Sequence, residues 1–209
     1  LIRSTGARVH LCRLSSAAGI ELVRRAKDEG LPVTCDVNVH HISLTDIDIG
    51  YFNSQMRFVP PLRSGRDRDG IVRALADGTI DAIATDHAPH AVHSKELPFD
   101  QAPPGMLGLE TAFSLALGES GLDLPEVLAL LSWKPAAIAG VADRHGAPVV
   151  PGVPANLCVV DPDETWTVSG AAMASLSSNT PYEGRSLRGR VRHTIRAGVP
   201  VVVDGEARR

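Results

Sequence analysis

The chain has 209 residues, 44% of them hydrophobic and 22% charged, with a formal net charge of −3. This is the composition of an ordinary globular fold, one large domain or one domain plus part of another, and it excludes a disordered or low-complexity chain. The slightly acidic balance leaves no basic footprint for nucleic acid or an anionic membrane surface.

No window approaches about 18 consecutive apolar residues and no basic-then-apolar leader opens the chain, so a cytoplasmic protein without a membrane segment is expected. Three cysteines, Cys12, Cys35 and Cys158, are few and unspaced for a zinc knuckle. They are read as buried, reduced thiols of a cytoplasmic protein.

In chain order, residues 8–14 read as a short apolar strand. Ser15-Ser16 can cap the helix that follows, where Ile20, Leu22, Val23 and Ala26 recur at helical spacing and Gly30 ends it. Residues 31–39 predict a second strand running into His40-His41. Adjacent strand residues point to opposite sides, so at most one of these histidines is expected to face a site. A turn-rich stretch carries Phe58-Val59-Pro60-Pro61-Leu62-Arg63. Residues 67–77 predict a helix and 79–85 a third strand. The Pro- and Gly-rich 91–108 predicts a long loop, of the kind that often covers a binding site, with His93 and Lys95 in solvent. Helices are expected over 109–117 and 124–138, the second capped by Asp123. After Gly146 the pattern turns to β, with strands over 152–161 and 191–205.

Strand alternating with helix predicts an α/β fold with a parallel sheet and helices outside it. A closed (β/α)8 barrel takes roughly 250 residues. Only three barrel-type strands are legible, so 1–146 is expected to be the C-terminal portion of such a barrel, with its other strands ahead of Leu1. Residues 147–209 are expected to belong to a small β-sandwich domain. The chain opens on Leu rather than Met, mid-pattern, as a portion of something longer would.

The chemistry concentrates in Asp81-Ala-Ile-Ala-Thr-Asp86-His87-Ala88-Pro89-His90. Strand ends in parallel α/β folds face the ligand site. Asp86 can there bind a metal or act as a general base, and His90 can reach over the same mouth. His87 is expected to be structural and His10 a hydrogen-bonded core residue. Arg63 can hold a carboxylate in fork geometry or simply face solvent. Glu110 is read as favouring a helix start. Ser15 and Cys12 have no base nearby in sequence and are discounted as nucleophiles.

These residues resemble the carboxyl-terminal half of a dihydroorotase, within the amidohydrolase superfamily. The resemblance rests on Gly78 through His90, on Pro60-Pro61-Leu62-Arg63, on Pro104-Gly105-Met-Leu-Gly-Leu-Glu-Thr111, and on Asn179-Thr-Pro-Tyr182 with Gly189 downstream. It implies a zinc-dependent (β/α)8 barrel that interconverts dihydroorotate and N-carbamoyl-aspartate, zinc polarising the carbonyl and supplying hydroxide. Asp86 would then bind metal and shuttle the proton. His90, Arg63 and the Pro104-Gly105 loop would meet the substrate.

Two positions depart from that pattern. Where the family's Cys-His-x-Ser segment places a zinc-ligating histidine, this chain has Arg13. A guanidinium has no lone pair to give and stays protonated. Where the family carries a substrate-contacting Asn before Pro-Pro-Leu-Arg, this chain has Val59. Arg13 is expected to pair with Asp86 in place of zinc, a contact worth a few kcal/mol if buried. The pattern resembles non-catalytic dihydroorotase homologues that assemble with aspartate transcarbamoylase. An impaired or inactive homo-oligomeric partner of that enzyme is therefore expected, with an active zinc hydrolase as the alternative.

Overall fold

A computed structural model describes residues 1–208. A short helical turn, α1 (Ile2–Thr5), leads to strand β1 (Val9–Leu11), helix α2 (Ala17–Asp28) and strand β2 (Val33–Asn38). The turn α3 (His40–Ser43), helix α4 (Gly65–Ala76) and strand β3 (Ala82–Ala84) follow. The three strands form a parallel sheet in the order β1-β2-β3, as the alternating pattern predicts. Ser16 caps α2 by accepting from Gly19 N, and Ser64 caps α4 by accepting from Asp67 N. Cys35, Val37 and Val39 are fully buried, in one apolar core with Ile20, Val23, Ile71 and Leu75 from the two helices.

Two strands are shorter than their apolar runs. β1 stops before Arg13, which turns to φ 59 as its N–H donates to Asp36 Oδ1 at 2.6 Å. β3 starts late because Asp77 Oδ1 takes the Thr79 N–H at 2.9 Å, and it stops where Asp86 turns to φ 45.

The 91–108 stretch contains a helical turn, α5 (Val92–Lys95). Lys95 is not in solvent: it is 3% exposed. The expected 124–138 helix is two, α7 (Leu124–Leu131) and α8 (Trp133–Ile138), after α6 (Ala112–Glu119). Pro135 cannot donate to Leu131 and its ring would crowd that carbonyl, so the helix restarts at Ser132 with φ −129 and ψ −87. Asp123 and Glu126 make a reciprocal capping box on α7.

The last part is an antiparallel sheet of β4 (Leu157–Thr167), β5 (Ser186–Arg196), β6 (Val199–Val203) and β7 (Glu206–Ala207), in that order. Two-residue connections, Ala197-Gly198 and Asp204-Gly205, have φ of 49, 82, 54 and 81, which suits the twist of a tight hairpin. The sheet docks on α6, with Trp166 Nε1 donating to Ser114 Oγ and Gly189 O at 3.1 Å each.

Candidate active site

Asp86 sits just past the carboxyl end of β3, the end at which ligands meet parallel sheets. Its Oδ2 accepts from Asn38 Nδ2 at 2.8 Å, and Arg13 Nη1 lies 3.8 Å from its Oδ1. Arg13 thus reaches Asp86 across the strand ends. The pair is not buried, since the Arg13 side chain is 48% exposed and Asp86 24%. A pair this long and this wet is worth ~0–1 kcal/mol, below the few kcal/mol of a buried one. Burial raises the Asp86 carboxyl above its ordinary 3.8 and Asp36 adds to this, while Arg13 and the Asn38 hydrogen bond oppose it. Desolvation wins because the guanidinium stands off at 3.8 Å rather than in contact.

Arg13 is anchored from below. Its N–H is held by Asp36 Oδ1, and Asp36 Oδ2 meets His10 Nε2 at 2.9 Å while His10 Nδ1 meets Thr34 Oγ1 at 2.8 Å. His10 is therefore bonded on both ring nitrogens. Arg13 Nη1 also donates to Val59 O at 3.3 Å. Val59 offers no side-chain hydrogen bond, yet its carbonyl takes part at the mouth. Burial and Asp36 raise the Cys12 thiol, which argues against a thiolate nucleophile.

His40 and His41 do not alternate across a strand. Both lie in the α3 turn, 0% and 2% exposed, and His40 stacks on Phe58 with centroids 4.1 Å apart. Neither ring nitrogen of His40 has a hydrogen-bond partner, and burial holds the ring neutral, well below 6.5. His41 Nε2 donates to Pro61 O at 3.2 Å.

The other expected residues divide. His87 Nδ1 accepts from Gly108 N at 3.2 Å, a structural role. His90 Nε2 donates to Pro104 O at 2.9 Å, so its ring holds the loop directly. Arg63 is exposed, its Nε reaching Ser15 Oγ at 3.3 Å. Glu110 does not start a helix; its carboxylate accepts from Ala174 N at 2.9 Å. Sequence reasoning missed Asn38, Asp36 and Lys95, whose importance comes only from neighbours distant in the chain. Asn179 was visible only as a motif letter.

The donor set fits a metal only in part. His40, buried against Phe58, has a neutral imidazole with unpaired nitrogens. Arg13 instead places a permanent cation against the carboxylate. Among the described residues, the one trio of His, Cys, Asp or Glu with donor atoms within 4.8 Å of one another is His10, Cys12 and Asp36, and Asp86 is outside it.

The amidohydrolase family model matches residues 2–201. The chain belongs to the amidohydrolase family. It is 45% identical over its whole length to a dihydroorotase of Mycobacterium tuberculosis, and 47% identical over 99% of its length to one of Streptomyces coelicolor. It spans about half of each, 49%. Among solved amidohydrolase structures, 99% of the chain superposes on 47% of an L-hydantoinase (dihydropyrimidinase) from Arthrobacter aurescens, with TM-score 0.91 and 28% identity. A D-hydantoinase from Thermus sp. gives 0.89 and 27%, with the same coverage. These likenesses establish the barrel-type amidohydrolase fold of the chain. Its family is generally metal-dependent, which makes Arg13 the informative departure.

Proposed function

We propose that this chain is part of a dihydroorotase-type protein of pyrimidine biosynthesis, with residues 1–146 in the barrel and 147–209 in a β-sandwich domain. Its site is shaped for dihydroorotate and N-carbamoyl-aspartate, and its zinc chemistry is impaired. The observation that carries this reading is the Arg13 guanidinium 3.8 Å from Asp86. A fixed positive charge there repels a divalent ion and supplies no lone pair. In this reading the protein serves as a structural partner of aspartate transcarbamoylase in the cytoplasm. Support for that part is the Arg13 and Val59 pattern; among the described residues, no helix is long and apolar enough to cross a membrane.

One observation favours the alternative of an active zinc hydrolase. His40 is buried and neutral with both ring nitrogens unpaired, a donor that a zinc ion would satisfy. Asp86 would then hold the ion, which would supply Lewis-acid activation of the cyclic amide. In either reading, the Asn38 hydrogen bond orients the Asp86 carboxylate, with Arg13 beside it.

The test is zinc content by elemental analysis together with dihydroorotate hydrolysis in the same purified sample. Substoichiometric zinc and no turnover are expected, with Arg13→His raising zinc uptake toward one equivalent. Stoichiometric zinc with turnover in the unmodified protein would establish the alternative. A pull-down with aspartate transcarbamoylase checks the assembly role, and no retention there would remove it.

A further inference from the structure

The segment at 103–105 is held in an unusual way. Its three successive carbonyls each accept from a side chain: Pro103 O from Lys95 Nζ at 3.0 Å, Pro104 O from His90 Nε2 at 2.9 Å, and Gly105 O from both Lys95 Nζ and Asn179 Nδ2 at 3.3 Å. Asn179 ties this segment to the Asp86 loop. Its Nδ2 donates to Ala88 O at 2.9 Å and its Oδ1 accepts from His90 N at 2.9 Å. Backbone bonds complete the seat, Gly105 N to Arg57 O at 2.9 Å and Leu107 N to Asn179 O at 2.8 Å. Gly105 lies at φ +127, and a Cβ there would be 2.5 Å from Ala88 Cβ, so the Gly105 backbone sits directly against the Ala88 methyl.

Lys95 is the anomaly. It is 3% exposed and its ammonium donates to the carbonyl oxygens of Pro103 and Gly105 rather than to carboxylates. An ammonium buried without an anion is costly, and burial with Arg57 nearby lowers its pKa to about 8. An apolar residue would fill the same space more cheaply but would leave Pro103 O unbonded. Because Pro104 O can only accept, the bond from His90 fixes the proton on Nε2.

We propose that Lys95 is a positioning residue: it clamps the carbonyls of Pro103 and Gly105, and so fixes the Pro104-Gly105 backbone and the His90 ring at the Asp86 mouth. The ligand relevance of this clamp rests on the dihydroorotate-type reading of the site; the clamp itself does not. A purely packing role is distinguished by paired substitutions. Lys95→Met keeps the volume and removes the donors, whereas Lys95→Gln keeps two N–H donors without the charge.

The experiment is amide hydrogen exchange resolved at 105–108, with and without dihydroorotate as the probe. Lys95→Met is expected to speed exchange at 105–108 at least tenfold while β2 is unchanged, and to weaken dihydroorotate binding at least tenfold. Lys95→Gln is expected to stay within threefold of wild type in both. Exchange within twofold of wild type in Lys95→Met, or a Gln variant as open as the Met variant, overturns the proposal. Where Lys95→Met does not fold, Lys95→Gln carries the test alone, and a segment opened more than tenfold in it overturns the proposal. If wild type takes up no dihydroorotate, the functional reading falls and the exchange arm still decides the clamp.

Discussion

The charged form of Asp86 is held at a cost. Its folded carboxyl titrates above 3.8 because burial outweighs a guanidinium 3.8 Å away. A raised folded value means that the group's stabilising contribution is present below the unfolded value of 3.8 and is lost as pH rises through the folded one. Asp86→Asn keeps the shape and an acceptor for Asn38 Nδ2, and it gives up only a wet ion pair. It is expected to raise Tm at pH 7, with the gain shrinking as pH falls through the raised folded value and gone below about 3.8; thermal melts across pH 3–8 check this. A variant less stable than wild type at pH 7 would mean that the Arg13 pair outweighs the burial. At this scale Asp86 and Arg13 were legible as letters in a motif. Lys95 was misread because a lysine in a Pro-rich loop looks solvated, and its burial comes from carbonyls that the sequence does not display.

Elements here are bounded by side chains from other elements. Asp36 of β2 ends β1 by taking the Arg13 N–H, and Asp77 delays β3 by taking that of Thr79. His40-His41 follow the same rule: after Asn38 the chain turns into α3, so strand alternation no longer applies and both rings are buried. The start of α6 is set by contact between loops. A Cβ on Gly108 would lie 2.1 Å from Thr85 O, the residue before Asp86. Gly108→Ala is therefore expected to destabilise by about 3 kcal/mol through overpacking against backbone. Urea denaturation monitored by far-UV circular dichroism measures this; a loss under ~0.5 kcal/mol would show that the loop yields freely.

At the scale of the molecule, the antiparallel sheet joins the α/β part on α6 through Trp166, Ser114 and Gly189. Trp166→Phe removes the indole donor and keeps most of the apolar contact, so a loss of about 1 kcal/mol is expected. If the two sheets unfold as one unit, a single lowered midpoint appears by both circular dichroism and calorimetry; two separated transitions would show the sheets to be independent.

Hydrophobic period, capping residues and turn residues are local properties. The sequence alone therefore determined the β/α alternation, the change to β after Gly146, the Asp123 cap and the Asp86 strand end. Only the tertiary structure decided that Arg13 and Asp86 face each other in water rather than in the core, that both histidines after β2 are buried, and that Lys95 closes the 103–105 segment. These depend on which distant groups converge at one strand end, where burial and the pairing of polar atoms, rather than local propensity, set the energies.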